Sequence, residues 1–345
     1  MKLKIHIANA WYENKCWLYL LWPFAKIYQF VISLRKWLYN KGWFAQTKFT
    51  IPVIVVGNIT VGGTGKTSIV IWLAQELQRR HLKPGIVSRG YQSQLKNYPR
   101  IVRSTDVAAQ VGDEPLLIAQ ATGCPVVIDP NRVQAVDYLL KNFACDIVLT
   151  DDGLQHYALG RDIEICCIDA NKQFGNRLCL PAGPLREPLN RLETIDYLLV
   201  KGKNNSVNYP AVYVNSQVKK LPSYYFNYQP EKLRNCQDPL QTKAINFLQD
   251  KSVILITGIA QPENFQQTMA SITNVKAMRI FADHHQFTPA DFAGLENDLV
   301  IMTYKDAVKC QSLAHANCWF LEIQVQMESD VVSAILAKIA KIKNF

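Results

Sequence analysis

Residues 53–77, VIVVGNITVGGTGKTSIVIWLAQEL, run from an apolar stretch through a glycine-rich turn into a helix opening at Gly65, Lys66 and Thr67. Backbone N–H groups of such a turn converge with those of the helix start, where the positive end of the helix dipole favours phosphate. The loop of Thr60, Val61, Gly62, Gly63, Thr64, Gly65, Lys66 and Thr67 is therefore the expected cradle for nucleotide phosphates. Lys66 would reach the β and γ phosphates, and the Thr67 hydroxyl would sit on Mg²⁺. The usual spacing has glycine where this chain has Thr60. The order of strand, turn and helix carries the assignment.

A phosphate loop needs a carboxylate on the metal side, at the end of a neighbouring strand. DIVLTDDG supplies it, because an apolar run ends at once in Asp151 and Asp152. Two adjacent carboxylates repel unless a cation relieves them, and Mg²⁺ on nucleotide phosphates would do so. His156 follows in the same loop, placed to orient a carboxylate, touch substrate or serve as a structural hydrogen-bonder. In LPAGPLREPL, prolines and a glycine stiffen a turn that presents Arg186 and Glu187. Arginine suits bidentate phosphate contact and glutamate suits Mg²⁺ or its waters, with an exposed ion pair as the plain alternative. VGDEP sets Asp113 and Glu114 just before a helix, where N-capping is the commonest use of Asp. FADHHQF holds Asp283, His284 and His285. Adjacent histidines point apart, so a chelate is not expected, but an Asp paired with a His can act as general base towards an alcohol.

These residues need a scaffold. After residue 49 short β-branched runs alternate with helical patterns, the mark of a parallel sheet built from βαβ units. Strands are expected at 51–57, 85–88, 125–128, 146–150, 163–168 and 197–201, with helices at 66–80 and 132–143. From about 202 to 235 the chain turns polar and rich in Tyr, Pro and Asn, which reads as a linker with a hairpin or two. A second alternating unit follows, with strands at 252–257, 277–281, 298–303 and 318–325, helix 262–272 and a closing amphipathic helix 329–342.

The first fifty residues differ from the rest. Of a net charge of +10 over 345 residues, +7 lies there: eight Lys or Arg against Glu13 alone. Five of the seven tryptophans share the stretch. Basic residues interleaved with Trp suit a membrane interface and anionic lipids. Pro23, Lys26 and Gln29 interrupt the apolar run at 17–34, so the expectation is a helix lying on or dipping into the bilayer rather than spanning it. Nucleic acid is not the expected partner, because tryptophan is too dense here and the rest of the chain nearly neutral. Nine cysteines, none in a C-x-x-C pair, fit reduced thiols and argue against a structural zinc.

Taken together, the motifs resemble one family, the tetraacyldisaccharide 4'-kinase or lipid A 4'-kinase of Gram-negative bacteria. The resemblance runs through GN-x-T-x-GG-x-GKT (57–67), SRGY (88–91), GDEP (112–115), DDG-x-QH (151–156), RD-x-E (161–164), PAG-x-LREP (181–188), DHH-x-F (283–287) and T-x-KD (303–306). It implies an α/β fold: a P-loop NTPase-type parallel sheet, a second, smaller α/β domain joined by a β-hairpin linker, and an N-terminal membrane-interface helix. The divisions would fall at 1–50, 51–201, 202–235 and 236–345, with the active site in the cleft between the two domains. The implied reaction moves the γ-phosphate of ATP to the 4'-hydroxyl of an acylated glucosamine disaccharide 1-phosphate, with Mg²⁺, at the cytoplasmic face of the bacterial inner membrane. By resemblance Asp113 matches the catalytic base and His284 its partner, Lys66 and Thr67 the phosphate and metal residues, and Asp151, Asp152 and Glu187 the acids around Mg²⁺. Arg132, His156, Arg186 and Asp283 match positions near nucleotide or substrate. Ser68, Ala260 and Tyr304 depart from the family pattern without touching these positions. On the motifs alone, a membrane-recruited P-loop ATPase or a small-molecule kinase is the alternative.

Overall fold

The computed structural model describes residues 2–13, 15–202, 212–214, 217–219, 221–311, 313–327 and 330–343. Strands of the first half are β1 (Val53–Gly57), β2 (Pro84–Ser88), β3 (Arg100–Val102), β4 (Val126–Ile128), β5 (Ile147–Asp151), β6 (Ile163–Asp169) and β7 (Tyr197–Lys201). Next come β8 (Val212–Val214), β9 (Gln217–Lys219), β10 (Ser223–Asn235) and β11 (Thr242–Ala244). The second half adds β12 (Ser252–Thr257), β13 (Asn274–Ile280), β14 (Val300–Thr303) and β15 (Cys318–Met327). The helices are α1 (Lys2–Glu13), α2 (Trp22–Asn40), α3 (Lys66–Arg79), α4 (Ala108–Val111), α5 (Asp113–Thr122), α6 (Arg132–Asn142), α7 (Pro262–Ala270), α8 (Tyr304–Cys310) and α9 (Val331–Lys343).

Strands β1, β5 and β6 are buried along their whole length, which explains why they read as unbroken apolar runs rather than alternating ones. Their side chains still alternate by face. Ile54 and Val56 pack with the α3 stripe of Ile69, Val70, Leu73, Ala74 and Leu77, while Val53 and Val55 pack with Ala135, Val136 and Leu139 of α6 on the other side. The sheet order is β13-β12-β14-β15-β10-β7-β6-β1-β5-β2-β4-β3, with β11 beside β10. The central pairs are parallel, and β3 and β15 join antiparallel to β4 and β10.

Three strands of this sheet, β3, β10 and β11, are not among those expected from the sequence, and β10 is the longest of them. The stretch expected as linker contains β10, thirteen residues that pair in parallel with β7 at one end and antiparallel with β15 along most of their length. Pro230 lies within the strand, and a register shift between Pro230 and Lys232 accommodates it. Within the same stretch β8 and β9 pair antiparallel, while the rest of the expected hairpin region, 203–211, 215, 216 and 220, lies outside the described residues. The last helix returns to the first half: Val331, Val332, Ile335 and Ile339 join the core under α3, and the Tyr197 hydroxyl donates to the Ala334 carbonyl at 2.9 Å.

Helix α2 turns an apolar stripe outward. Phe24, Ile27, Phe30, Val31 and Leu34 are all exposed, continuing from Leu20, while Ala25 is buried on the opposite face. Its protein-facing side is anchored by Tyr28, whose hydroxyl donates to the Arg186 carbonyl at 3.1 Å, and by Tyr39 against the ring of Tyr157.

Candidate active site

The phosphate loop takes its shape from two glycines. Gly62 and Gly65 have φ of 111° and 86°, in the left-handed region, whereas Thr60 is not among the positive-φ residues. Glycine is therefore not required at position 60, and the departure from the usual spacing has a structural reason. Thr60 is buried and bridges to Leu185, and the Pro184 carbonyl accepts from the Val61 N–H at 2.8 Å while the Ile59 carbonyl accepts from the Arg186 N–H at 2.7 Å. The stiff proline turn is thus zipped directly onto the phosphate loop, which is what brings Arg186 to it. From β10, Tyr228 covers Gly65 so closely that any side chain there would strike its hydroxyl.

Opposite the loop, β5 ends in the paired acids. Thr67 Oγ1 donates to Asp151 Oδ2 at 3.3 Å, and Lys66 Nζ lies 3.6 Å from Asp152 Oδ1. Arg186 grips both Asp152 oxygens at 3.0 and 2.9 Å. Burial alone would raise the Asp152 carboxyl, but Lys66 and Arg186 hold it below the usual range. Asp151 goes the other way: burial, with Glu114 and Asp152 adding repulsion, pushes it well up. Its Oδ1 is buried and has no hydrogen-bond partner. A buried, unpartnered carboxylate oxygen beside a hydroxyl and a second acid fits a hard divalent cation such as Mg²⁺. Among the described residues no group of three or more His, Cys, Asp and Glu forms a metal cage. Mg²⁺ bound mainly through substrate phosphates asks for no such cage.

Arg132 lines this corner and braces it from within. It is almost fully buried, donates to the Asp129 carbonyl at 2.7 Å and the Asp151 carbonyl at 3.3 Å, and so fixes the end of β5. His156 lines the same cleft, and burial with the nearby charges of Arg132 and Arg89 pushes its pKa down to about 3, so it is neutral. The structure does not bring Glu187 to this group. It is buried beneath the turn, where it accepts from the Tyr157 hydroxyl and pairs with Arg191 Nε at 3.0 Å. Arg191 in turn binds Glu164, which also pairs with Arg161 at 3.0 Å. The Glu187 side chain is held in a buried ion network and does not line the cleft.

The second cluster joins the two halves of the sheet. Asp113 is the first residue of α5, behind Gly112 at φ 93°, rather than a cap preceding the helix. Its Oδ1 accepts from the Glu114 N–H at 3.0 Å, and its Oδ2 lies 2.8 Å from His284 Nδ1. The two histidines do diverge: His285 turns to Asp291 at 3.1 Å and stacks on Phe281. Lys305 Nζ stands 3.3 Å from Asp283, 3.5 Å from Glu114 and 3.9 Å from Asp113. Burial would raise Asp113, yet His284 and Lys305 keep it below the usual carboxylate value. The hydrogen bond to Asp113 raises His284 despite burial and the charge of Lys305. The first turn of α8, which bears Lys305, is pinned by Asp306, which is fully buried and accepts from Thr257 Oγ1 at 2.8 Å, the Gly258 N–H at 3.1 Å and Thr303 Oγ1 at 2.7 Å.

Both clusters line one cleft of about 1060 Å³, whose walls also include Arg89, Tyr91 and Trp72. Lys305, Tyr91 and Arg89 were missed as site residues. They lie in the TYKD and SRGY stretches, whose residue types alone carry no obvious chemistry. The arrangement offers a phosphate cradle, a cation-seeking carboxylate and, on the facing wall, an ionised acid held by a histidine.

The family model described as LpxK, tetraacyldisaccharide-1-P 4'-kinase, matches residues 17–340. A tetraacyldisaccharide 4'-kinase of Francisella tularensis subsp. novicida is 42% identical, over 93% of this chain and 99% of its own. One from Methylobacillus flagellatus is 38% identical, over 97% and 96%. A crystal structure of the "apo" form of LpxK from Aquifex aeolicus in complex with ATP is 28% identical and superposes with a TM-score of 0.79, covering 93% of this chain and 99% of that one.

Proposed function

The chain belongs to the tetraacyldisaccharide 4'-kinase family, and we propose that it carries out the reaction of that family, moving the γ-phosphate of ATP to the 4'-hydroxyl of an acylated glucosamine disaccharide 1-phosphate in lipid A biosynthesis. The observation that carries the reading is the cleft whose walls hold both the Gly62–Thr67 cradle and His284, with Asp113 2.8 Å behind the His284 ring.

ATP lies with its phosphates on the backbone N–H groups of residues 62–67. Lys66, released from Asp152 by the incoming phosphates, meets the charge that develops on the transferring group. Thr67 and Asp151, with Asp152 beside them, would hold Mg²⁺; when bound, the ion neutralises phosphate charge. Arg186, clamped to Asp152, keeps that acid from the phosphates. Asp113, ionised and oriented by His284, accepts the proton of the sugar hydroxyl as the hydroxyl attacks in line. Tyr91, Arg89 and His156 contact the acceptor headgroup, and Asp283 supports His284.

The domain division follows the same logic, with a nucleotide half at 51–201, a smaller half from 236 onward and the cleft between them. The outward stripe of α2 buries in lipid while its other face stays on the protein, so the enzyme is peripheral or monotopic at the cytoplasmic face of the inner membrane. Anionic lipids attract its Lys and Arg residues.

Transfer of labelled γ-phosphate from ATP to the acylated disaccharide in mixed micelles tests the proposal. Labelled lipid is expected from the intact chain and not from Lys66→Ala. Consumption of ATP without labelled lipid would overturn it in favour of an ATPase or a kinase for a soluble acceptor.

A further inference from the structure

His284 offers its two ring nitrogens to groups of different demand. Nδ1 lies 2.8 Å from Asp113 Oδ2. A carboxylate only accepts, so Nδ1 carries a proton. Nε2 lies 3.5 Å from Lys305 Nζ and 3.7 Å from Asp283 Oδ2. These two neighbours ask for opposite states of the same atom. An ammonium only donates, so beside Lys305 the nitrogen must keep its lone pair and the ring is neutral. Beside Asp283 it would need a second proton, and the ring would become an imidazolium.

Lys305 holds the stronger position in this contest. It also engages the rival directly, at 3.3 Å from Asp283 Oδ1, so that the Asp283 charge is partly spent on the ammonium. Its remaining neighbours are Glu114 Oε1 at 3.5 Å and Asp113 Oδ2 at 3.9 Å, both on α5. Together these carboxylates keep Lys305 charged although it is largely buried. The nearby Lys309 cannot substitute, because it is buried with Asp306 at 2.9 Å. Tyr91 also stands against His284, edge-on at 5.6 Å between centroids.

We propose that Lys305 is a positioning residue for phosphoryl transfer: by occupying Asp283 and donating to Nε2 it opposes a second proton on His284 and favours the ring with its single proton on Nδ1, so that Asp113 rests against a neutral donor more of the time. The proposal rests on the reading of Asp113 as the base. A neutral imidazole orients a carboxylate while leaving its basicity largely intact. An imidazolium at the same distance would stabilise the ionised form further and weaken the base.

The test uses the full chain with Lys305→Met, Lys305→Arg and Asp283→Asn. It has two readouts: titration of the histidine rings by NMR, with the His284 signal identified by its loss in His284→Asn, and the pH profile of kcat. In Lys305→Met, His284 is expected to titrate about one unit higher, the scale of removing one unit charge at this distance in a wet cleft. The acid limb of kcat should move up with it, with KM for ATP unchanged. Lys305→Arg should return both towards the parent values. Asp283→Asn should move the His284 titration down, and this holds the proposal to account if Lys305→Met does not fold. An unmoved His284 titration in Lys305→Met, or an unmoved or raised one in Asp283→Asn, overturns the proposal whatever the activity does. A shifted titration with a stationary acid limb overturns it by a different route, since the Asp113–His284 pair would then not be the base.

Discussion

Asp113 and His284, 171 residues apart in the chain, meet at 2.8 Å between Oδ2 and Nδ1. Asp113 opens α5 in the nucleotide half, and His284 sits in the turn after β13 in the other. The contact unites the two halves at the point that faces the phosphate loop. Its consequences are measurable.

Asp113→Ala should lower kcat by about 10²–10⁴-fold, the usual range for a lost general base. ATP affinity should hold, since Asp113 makes no contact with the phosphate loop. Single-turnover transfer alongside nucleotide binding checks this. A matched loss in both would make Asp113 a structural residue.

The pair should also leave its mark on stability against pH. His284 is raised above its ordinary 6.5, so its contribution is complete below that value and is lost as pH rises through the folded pKa. Asp113 is held below 3.8, so its contribution is present above that value and lost as pH falls through the folded pKa. The difference in Tm between the parent and His284→Asn should therefore be largest between about pH 4 and 6.5 and shrink on the alkaline side. A difference that stays constant from acid to alkaline pH would contradict the assigned shifts.

Arg191 is 2% exposed and bound between Glu164 and Glu187. Arg191→Met strands buried Glu187 and leaves Glu164 with Arg161 alone, and should cost about 3–5 kcal/mol in denaturant unfolding. Glu187→Gln should be milder and leave the Mg²⁺ dependence of activity where it was. A rise in the Mg²⁺ concentration needed for half activity would return Glu187 to the metal.

Gly65 combines φ of 86° with the Tyr228 hydroxyl pressed against it. Gly65→Ala should cost about 1–3 kcal/mol of local strain and collision. It should weaken ATP binding more than global stability, which isothermal titration and thermal melting separate. Tyr228→Phe should restore part of the loss by removing the obstructing oxygen.

Replacing Phe24, Ile27 and Val31 by serine strips the centre of the outward stripe. Each apolar side chain is worth about 1.5–3 kcal/mol on burial, so affinity for anionic vesicles should fall by at least about 10²-fold. Cosedimentation reads the change. Retained binding at high salt would mean that the stripe does not carry the attachment.

Much of this molecule was legible in the residues themselves, wherever the governing physics is local. The strand, turn and helix of residues 53–77 follow from apolar periodicity and glycine, and the two carboxylates after β5 from their place at a strand end. The basic, tryptophan-rich first fifty residues announced an interface segment, and the exposed stripe of α2 agrees in character.

What the sequence left open depends on contacts between distant segments. Glu187 looked like a metal acid because Arg186-Glu187 stands in a stiff turn; only the fold shows that adjacent residues there face opposite ways, Arg186 to Asp152 and Glu187 to Arg191. Strand β10 fell inside the polar stretch expected as a linker, since its pairing with β7 and β15 is a property of the partners and not of its own residues. Lys305 stood in the T-x-KD stretch with no role read for it. Its importance comes from Asp113, Glu114, Asp283 and His284, four groups from α5 and the turn after β13. Sequence spacing cannot say where those two segments meet. Local propensity determines the pieces and the loop that takes phosphate, while the packing of α8 against α5 decides which charges share one small volume.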